Sequence, residues 1–207
     1  MLRFDDVCKS FGSRHVLRSL SLSRPAGALV LRGPNGVGKS TLLRVLAGVT
    51  PADSGTIWID GQPLHSDPVA AKLRLAYAPD ECPIYPFISG HELLDFVAYA
   101  KRCTVTPAVH AILERFGLGP HLATRCGDMS LGTQKKLMLA AAWIGAPALL
   151  LLDEPSNGLD TDARAVLIEL LRDRSAEAVV LLSSHDQAFA EAIGAEVIEF
   201  DTLCHRA

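Results

Sequence analysis

The sequence has no surplus of positive charge. Its net charge is −3 across 207 residues, so no global basic field draws it to nucleic acid or anionic lipid, and nucleic acid is not an expected partner. It also lacks paired cysteines. Cys8, Cys82, Cys103, Cys126 and Cys204 form no CxxC pair and are odd in number, which argues against a disulfide framework or zinc site and for reduced, indifferent thiols in a cytosol. No apolar run is long enough for a membrane. The longest, "LMLAAAWIGAPALLLL" from Leu137 to Leu152, falls short of the ~20 residues a spanning helix needs. "GAP" at 145–147 breaks it into a helix reaching about Ile144 and a following strand. Acids in "MLRFDDVCKS" stand where a signal peptide would have its apolar core. Internal repeats and low-complexity tracts are missing as well.

What remains is a composition of 49% hydrophobic and 21% charged residues, that of an ordinary globular chain with enough length for a sizeable core. "LRFDDV" and "VLRSLSLS" predict short strands, "ALVLR" a buried one, and "TLLRVLAG" a helix closed by glycine. "GTIWIDG" and "LRLAYAP" predict two more strands. From about residue 80 the character changes. Leu93, Leu94, Phe96, Val97 and Ala100 share one face at helical spacing, and Thr106 with Pro107 starts another helix. After residue 146 strands and helices alternate: "ALLLLDE", a helix near 162–173, "AVVLLSS", a helix near 186–193, and "AEVIEF". Continuous apolar strands such as "LLLL" and "VVLL" suit a parallel sheet covered on both faces. The expected fold class is α/β, a core formed by residues 1–79 and 147–207, with an N-terminal antiparallel part and an inserted helical lobe at 80–146.

"GPNGVGKS", residues 33–40, fits the pattern G-x-x-x-x-G-K-S/T between a predicted strand and a predicted helix. Gly33, Gly36 and Gly38 let backbone N–H groups converge on a phosphate around Pro34, Asn35 and Val37. The helix N-terminus adds partial positive charge. Lys39 supplies a point charge for β- and γ-phosphates, and the Ser40 hydroxyl a ligand for Mg²⁺. "LLLLDEP" ends a buried strand in adjacent carboxylates at the sheet edge where ligands of α/β proteins sit. Alone, such a pair is as often a solvated strand end. Beside a phosphate loop it reads as Asp153 for Mg²⁺ and Glu154 as general base. His185, in "LLSSHD", follows another apolar strand to the same edge and is suited to a γ-phosphate or a water.

These residues resemble, in order and over essentially the whole chain, the nucleotide-binding subunit of ATP-binding cassette (ABC) transporters. "GPNGVGKST" is similar to Walker A and includes Thr41. "LLLLDEP" is similar to Walker B, "SNGLD" to the D-loop ending in Asp160, and "SSHD" to the switch histidine. Phe11 takes the position of the aromatic that stacks on adenine. "MSLGT" stands for the family signature, usually LSGGQ, keeping Ser130 and Gly132 but carrying Met129, Leu131 and Thr133. Asp80 stands where the family usually has glutamine touching Mg²⁺.

The resemblance implies a P-loop NTPase core with a mostly parallel sheet, ATP and Mg²⁺ as cofactors, Glu154 and His185 as catalytic residues, and Ser40, Asp80 and Asp153 around the metal. It implies a head-to-tail sandwich, as a homodimer or paired cassette, in which Ser130 and Gly132 clamp the partner's nucleotide. Integral membrane transporter subunits would be further partners, with the chain peripheral on the cytoplasmic face of the cell membrane. From the short run after the last predicted strand, the expectation is a cassette lacking the regulatory C-terminal domain of some importers, and its brevity leans towards an exporter. A soluble ABC ATPase powering assembly or remodelling is the alternative. The loop from Asp80 to about Ser89 is the expected docking surface, where Ile84, Tyr85 and Phe87 serve either docking or local packing. Ser130 is expected to cap the helix that carries Lys135 and Lys136, with both lysines on its solvated face. Leu131 is expected to turn away from the nucleotide.

Overall fold

The computed structural model describes residues 1–203; Cys204 lies outside the described residues. The elements run β1 (Leu2–Phe11), β2 (Arg14–Arg24), β3 (Gly27–Arg32), α1 (Lys39–Leu46), β4 (Ser54–Ile59), β5 (Gln62–Pro63), α2 (Pro68–Leu73) and β6 (Leu75–Ala78). They continue with α3 (Gly90–Ala100), α4 (Pro107–Arg115), α5 (Leu131–Ala141), β7 (Leu149–Asp153), α6 (Thr161–Ser175), β8 (Val179–Ser183), α7 (Gln187–Ala192) and β9 (Glu196–Glu199).

Two sheets form. One is antiparallel with order β2-β1-β4-β5, and the other is parallel with order β6-β7-β8-β3-β9. Alternation along the parallel strands serves two cores at once. Leu149, Leu151, Val179 and Leu181 pack with α1 and the antiparallel sheet. Leu150, Leu152, Val180 and Leu182 pack with α5, α6 and the helices between β6 and β7. Side chains two residues apart share a face, so a strand of unbroken leucine supplies both clusters, and all five residues of β7 and of β8 are buried.

Several boundaries move from the sequence expectation. β1 does not stop at Val7. It continues to Phe11 across a break in register with β2, where Asp6 adopts a φ of 52°; such a bulge re-aims the strand and hides the alternation. α5 ends at Ala141, and Trp143 and Ile144 donate to Ala140 and Ala141, so the last turn tightens before Gly145. The short helix α2 was not anticipated, although Asp67 caps it and Pro68 opens it. No helix among the described residues is long and apolar enough to cross a membrane.

Candidate functional site

The carboxyl ends of β3, β7 and β8 open into a cleft of about 720 Å³. Its wall includes Asn35, Gly36, Gly38, Lys39, Ser40 and Thr41 from the loop and first turn of α1, together with Phe11, Asp80, Asp153, Glu154 and His185. The loop bends through three left-handed glycines, Gly33 at φ 152°, Gly36 at 77° and Gly38 at 125°. A Cβ at Gly38 would come within 3.0 Å of Val16 and 3.1 Å of Phe200. Gly38 also precedes α1 with no side chain capping the helix, which leaves the first N–H groups of α1 without a side-chain acceptor.

Lys39 is buried, and its Nζ donates to the carbonyls of Gly33 (2.6 Å) and Pro34 (3.3 Å). Val37 closes a turn onto the Pro34 carbonyl and packs its side chain against the core rather than into the cleft. His185 Nε2 lies 3.3 Å from Lys39 Nζ and 3.5 Å from Glu154 Oε1. Its tautomer therefore decides which neighbour it engages. Burial is the largest influence on Glu154 and raises its pKa, outweighing the lowering by His185 and Lys39. Asp153 and Glu154 meet β8 through Ser183: the Ser183 hydroxyl donates to Asp153 Oδ1 (2.6 Å) and accepts the Glu154 N–H (3.0 Å).

Phe11 is exposed at the end of β1, with Lys9 Nζ 5.5 Å from its ring centre. An aromatic face at the rim of a phosphate loop fits the stacking of a base. Ser40, Asp80 and Asp153 bring hard oxygen donors to one cleft. Among the described residues no group of three or more His, Cys, Asp or Glu is placed to hold a metal. That donor set suits Mg²⁺, which is commonly held by one or two carboxylates with water and phosphate oxygens.

Ser130, Gly132 and Asp160 are not in this cleft. They gather on a separate surface. Ser130 caps α5, its hydroxyl oxygen accepting the Thr133 N–H at 3.1 Å. A Cβ at Gly132 would lie 3.3 Å from the Gly158 carbonyl, so this turn abuts the segment that follows Glu154. Asp160 caps α6 through Ala163 N–H and pairs with Lys136 at 3.4 Å. The Ala163 N–H, with Lys136 beside it, lowers the Asp160 pKa. Leu131 is 79% exposed and points outward.

One expectation fails. Lys135 does not lie on a solvated face: it is 4% exposed. Its Nζ donates to the Asp80 carbonyl at 3.0 Å and sits 3.4 Å from Asp80 Oδ1, which also faces Asn157 Nδ2 at 3.5 Å. A buried ammonium needs such partners, and they come from a loop 55 positions earlier. Sequence reasoning also missed Arg14, which donates to the Gly36 carbonyl, as well as Asn157 and Ser183. For Ser183 the sequence offers only a polar residue ending an apolar strand; its pairing with Asp153 comes from the register of β7 against β8.

Residues 17–157 match the ABC transporter family. In an alignment of 212 residues the chain is 35% identical to the Nod factor export ATP-binding protein I of Paraburkholderia xenovorans, across 99% of this chain and 66% of that one. It is 30% identical to the linearmycin resistance ATP-binding protein LnrL of Bacillus subtilis, across 89% and 61%. The chain thus spans less than two thirds of the length of these curated relatives. A solved structure of the ATP-binding subunit of an ABC transporter matches with a TM-score of 0.85 at 29% identity, over 92% of this chain and 82% of that one. The family match runs from inside β2 to Asn157 and encloses the phosphate loop and both adjacent carboxylates: the chain belongs to the ABC transporter family.

Proposed function

We propose that this chain is a Mg²⁺-dependent ATPase that powers a membrane transporter working in export, closing head to tail on a second cassette around ATP. The observation that carries the reading is the convergence of Lys39, Asp153, Glu154 and His185 in one cleft. Phe11 would stack the base. The phosphate chain would lie on the N–H groups of the loop and of α1, and Lys39 would exchange the carbonyls of Gly33 and Pro34 for phosphate oxygens. Ser40 and Asp153 would hold Mg²⁺, with Asp80 reaching it in place of Lys135, and an ion held there would supply charge neutralisation for the β- and γ-phosphates. Glu154 is the base that orients water, and burial makes its carboxylate more basic than usual. His185 Nε2 lies between that base and Lys39 and engages one or the other according to its tautomer. Most of the catalysis is positioning and charge stabilisation.

Ser130 and Gly132 would meet the nucleotide of the partner cassette, since they do not line their own cleft. The lobe at 80–146 would present the transporter surface. A groove of about 720 Å³ lies there, lined by Tyr77, Ile84, Tyr85, Phe96, Val97 and Met138. Ile84 packs against the core, whereas Tyr85 and Phe87 stay exposed with ring centres 5.6 Å apart. Docking therefore falls to the latter two. The relative named for Nod factor export supports the direction of transport. Glu154→Gln tests the reading. Steady ATP hydrolysis should fall by about 10²–10⁴-fold, while an ATP-dependent dimer accumulates in gel filtration. Turnover at the parental rate would overturn it.

A further inference from the structure

Ser183 is fully buried at the end of β8, and its one hydroxyl is committed twice. The direction of both hydrogen bonds is fixed by chemistry. Glu154 N–H can only donate, so it takes a lone pair of the hydroxyl, and the hydroxyl proton goes to Asp153 Oδ1. Ser183 and Asp153 are register partners across the parallel ladder, so their side chains leave the sheet on the same side. Glu154 has a φ of 44°, a left-handed conformation that a non-glycine residue keeps only when its surroundings hold it. Its N–H has this serine as acceptor.

We propose that Ser183 is a positioning residue for hydrolysis, setting with one hydroxyl both the Asp153 carboxylate for the divalent cation and the Glu154 backbone for the attack of water. By occupying Oδ1 it leaves Oδ2 as the oxygen for the cation side. Removing it strands a buried carboxylate oxygen and a backbone N–H together. The backbone pairing of β8 to β7 and β3 does not involve the side chain. A serine serving only as a satisfied core residue would make the same contacts without affecting metal binding, and the two cases separate by experiment. The inference rests on Asp153 facing the cation.

Affinity for a fluorescent ATP analogue is measured in EDTA and again with Mn²⁺, for the parent, Ser183→Ala, Ser183→Cys and Ser183→Thr, each checked for folding by circular dichroism. Cysteine keeps the volume with a poorer donor, which preserves the test should alanine fail to fold. The Mn²⁺ enhancement should fall about tenfold in the alanine and cysteine variants, with affinity in EDTA within about twofold of the parent, because the phosphate loop is untouched. Threonine should restore the enhancement. Parental enhancement in a folded alanine or cysteine variant overturns the proposal, as does an equal loss with and without metal, or a threonine variant that behaves like alanine. No Mn²⁺ enhancement in the parent would instead remove the reading of Asp153, and this inference with it.

Discussion

Two helices in this chain begin next to glycine-containing loops, and they begin differently. α1 follows Gly38 with no side chain capping it, and its first turn lines a cleft with three carboxylates and a histidine. α5 is capped by its own Ser130, whose hydroxyl holds the Thr133 N–H and lies 2.8 Å from Thr133 Oγ1, and it opens onto an exposed surface beside Leu131. The first is preorganised for an anion. At the second an anion must compete with an internal cap. On the proposed reading, binding at α1 comes first, and closure through α5 is the conditional step.

The comparison can be broken or sharpened by substitution. The largest effect belongs to Lys39→Ala, which removes the one ammonium in the phosphate loop. Turnover should fall by about 10²–10³-fold, with a matching loss in equilibrium binding of labelled ATP; unchanged binding would mean the α1 site is not the nucleotide site. Ser130→Ala comes next. Losing the cap should cost about 1 kcal/mol in urea denaturation and abolish ATP-dependent dimerisation, while ATP binding to the monomer stays within about twofold. If monomer binding fell instead, the division of labour between the two helices would be wrong. Leu131→Gly should be smaller still. Because the side chain points outward, dimerisation measured by light scattering should change by less than about threefold, a few tenths of a kcal/mol; a larger gain would show that leucine obstructs closure.

The smallest effect is on stability against pH. Burial raises the Glu154 pKa in the fold, so the folded chain binds this proton more readily than the unfolded one. The ionised group therefore destabilises the fold above the raised pKa, and that cost vanishes below the ordinary carboxylate range. Glu154→Gln should raise the thermal midpoint at pH 8 by more than at pH 4. The opposite order would show that His185 and Lys39 outweigh burial.

Much of the fold was readable because a few local rules decide it. "LLLLD" and "VVLLS" have no polar face, which only a two-sided sheet satisfies, and each strand supplies both cores. Thr106 followed by Pro107 opens α4 as expected, with the threonine accepting the Val109 N–H. Ser89 and Glu92 form a reciprocal capping box at α3, and their S-x-x-E spacing is visible in the sequence. The phosphate loop was legible because its pattern is short and contiguous. Lys135 was not: two adjacent lysines on a helix look solvated until the chain brings Asp80 against one of them. Ser183 was hidden for the same reason, since its role depends on the register of β7 against β8. β1 ran further than its alternation because the bulge at Asp6 resets the pattern.

β7 lies between both packing clusters and ends in the two carboxylates of the cleft. Both clusters therefore bear on the strand that anchors Asp153 and Glu154. On the proposed reading, packing on both faces of the sheet and competence for turnover thus meet at one strand terminus. A copy with only one cluster formed would, on that reading, hold its two carboxylates too loosely to turn over ATP.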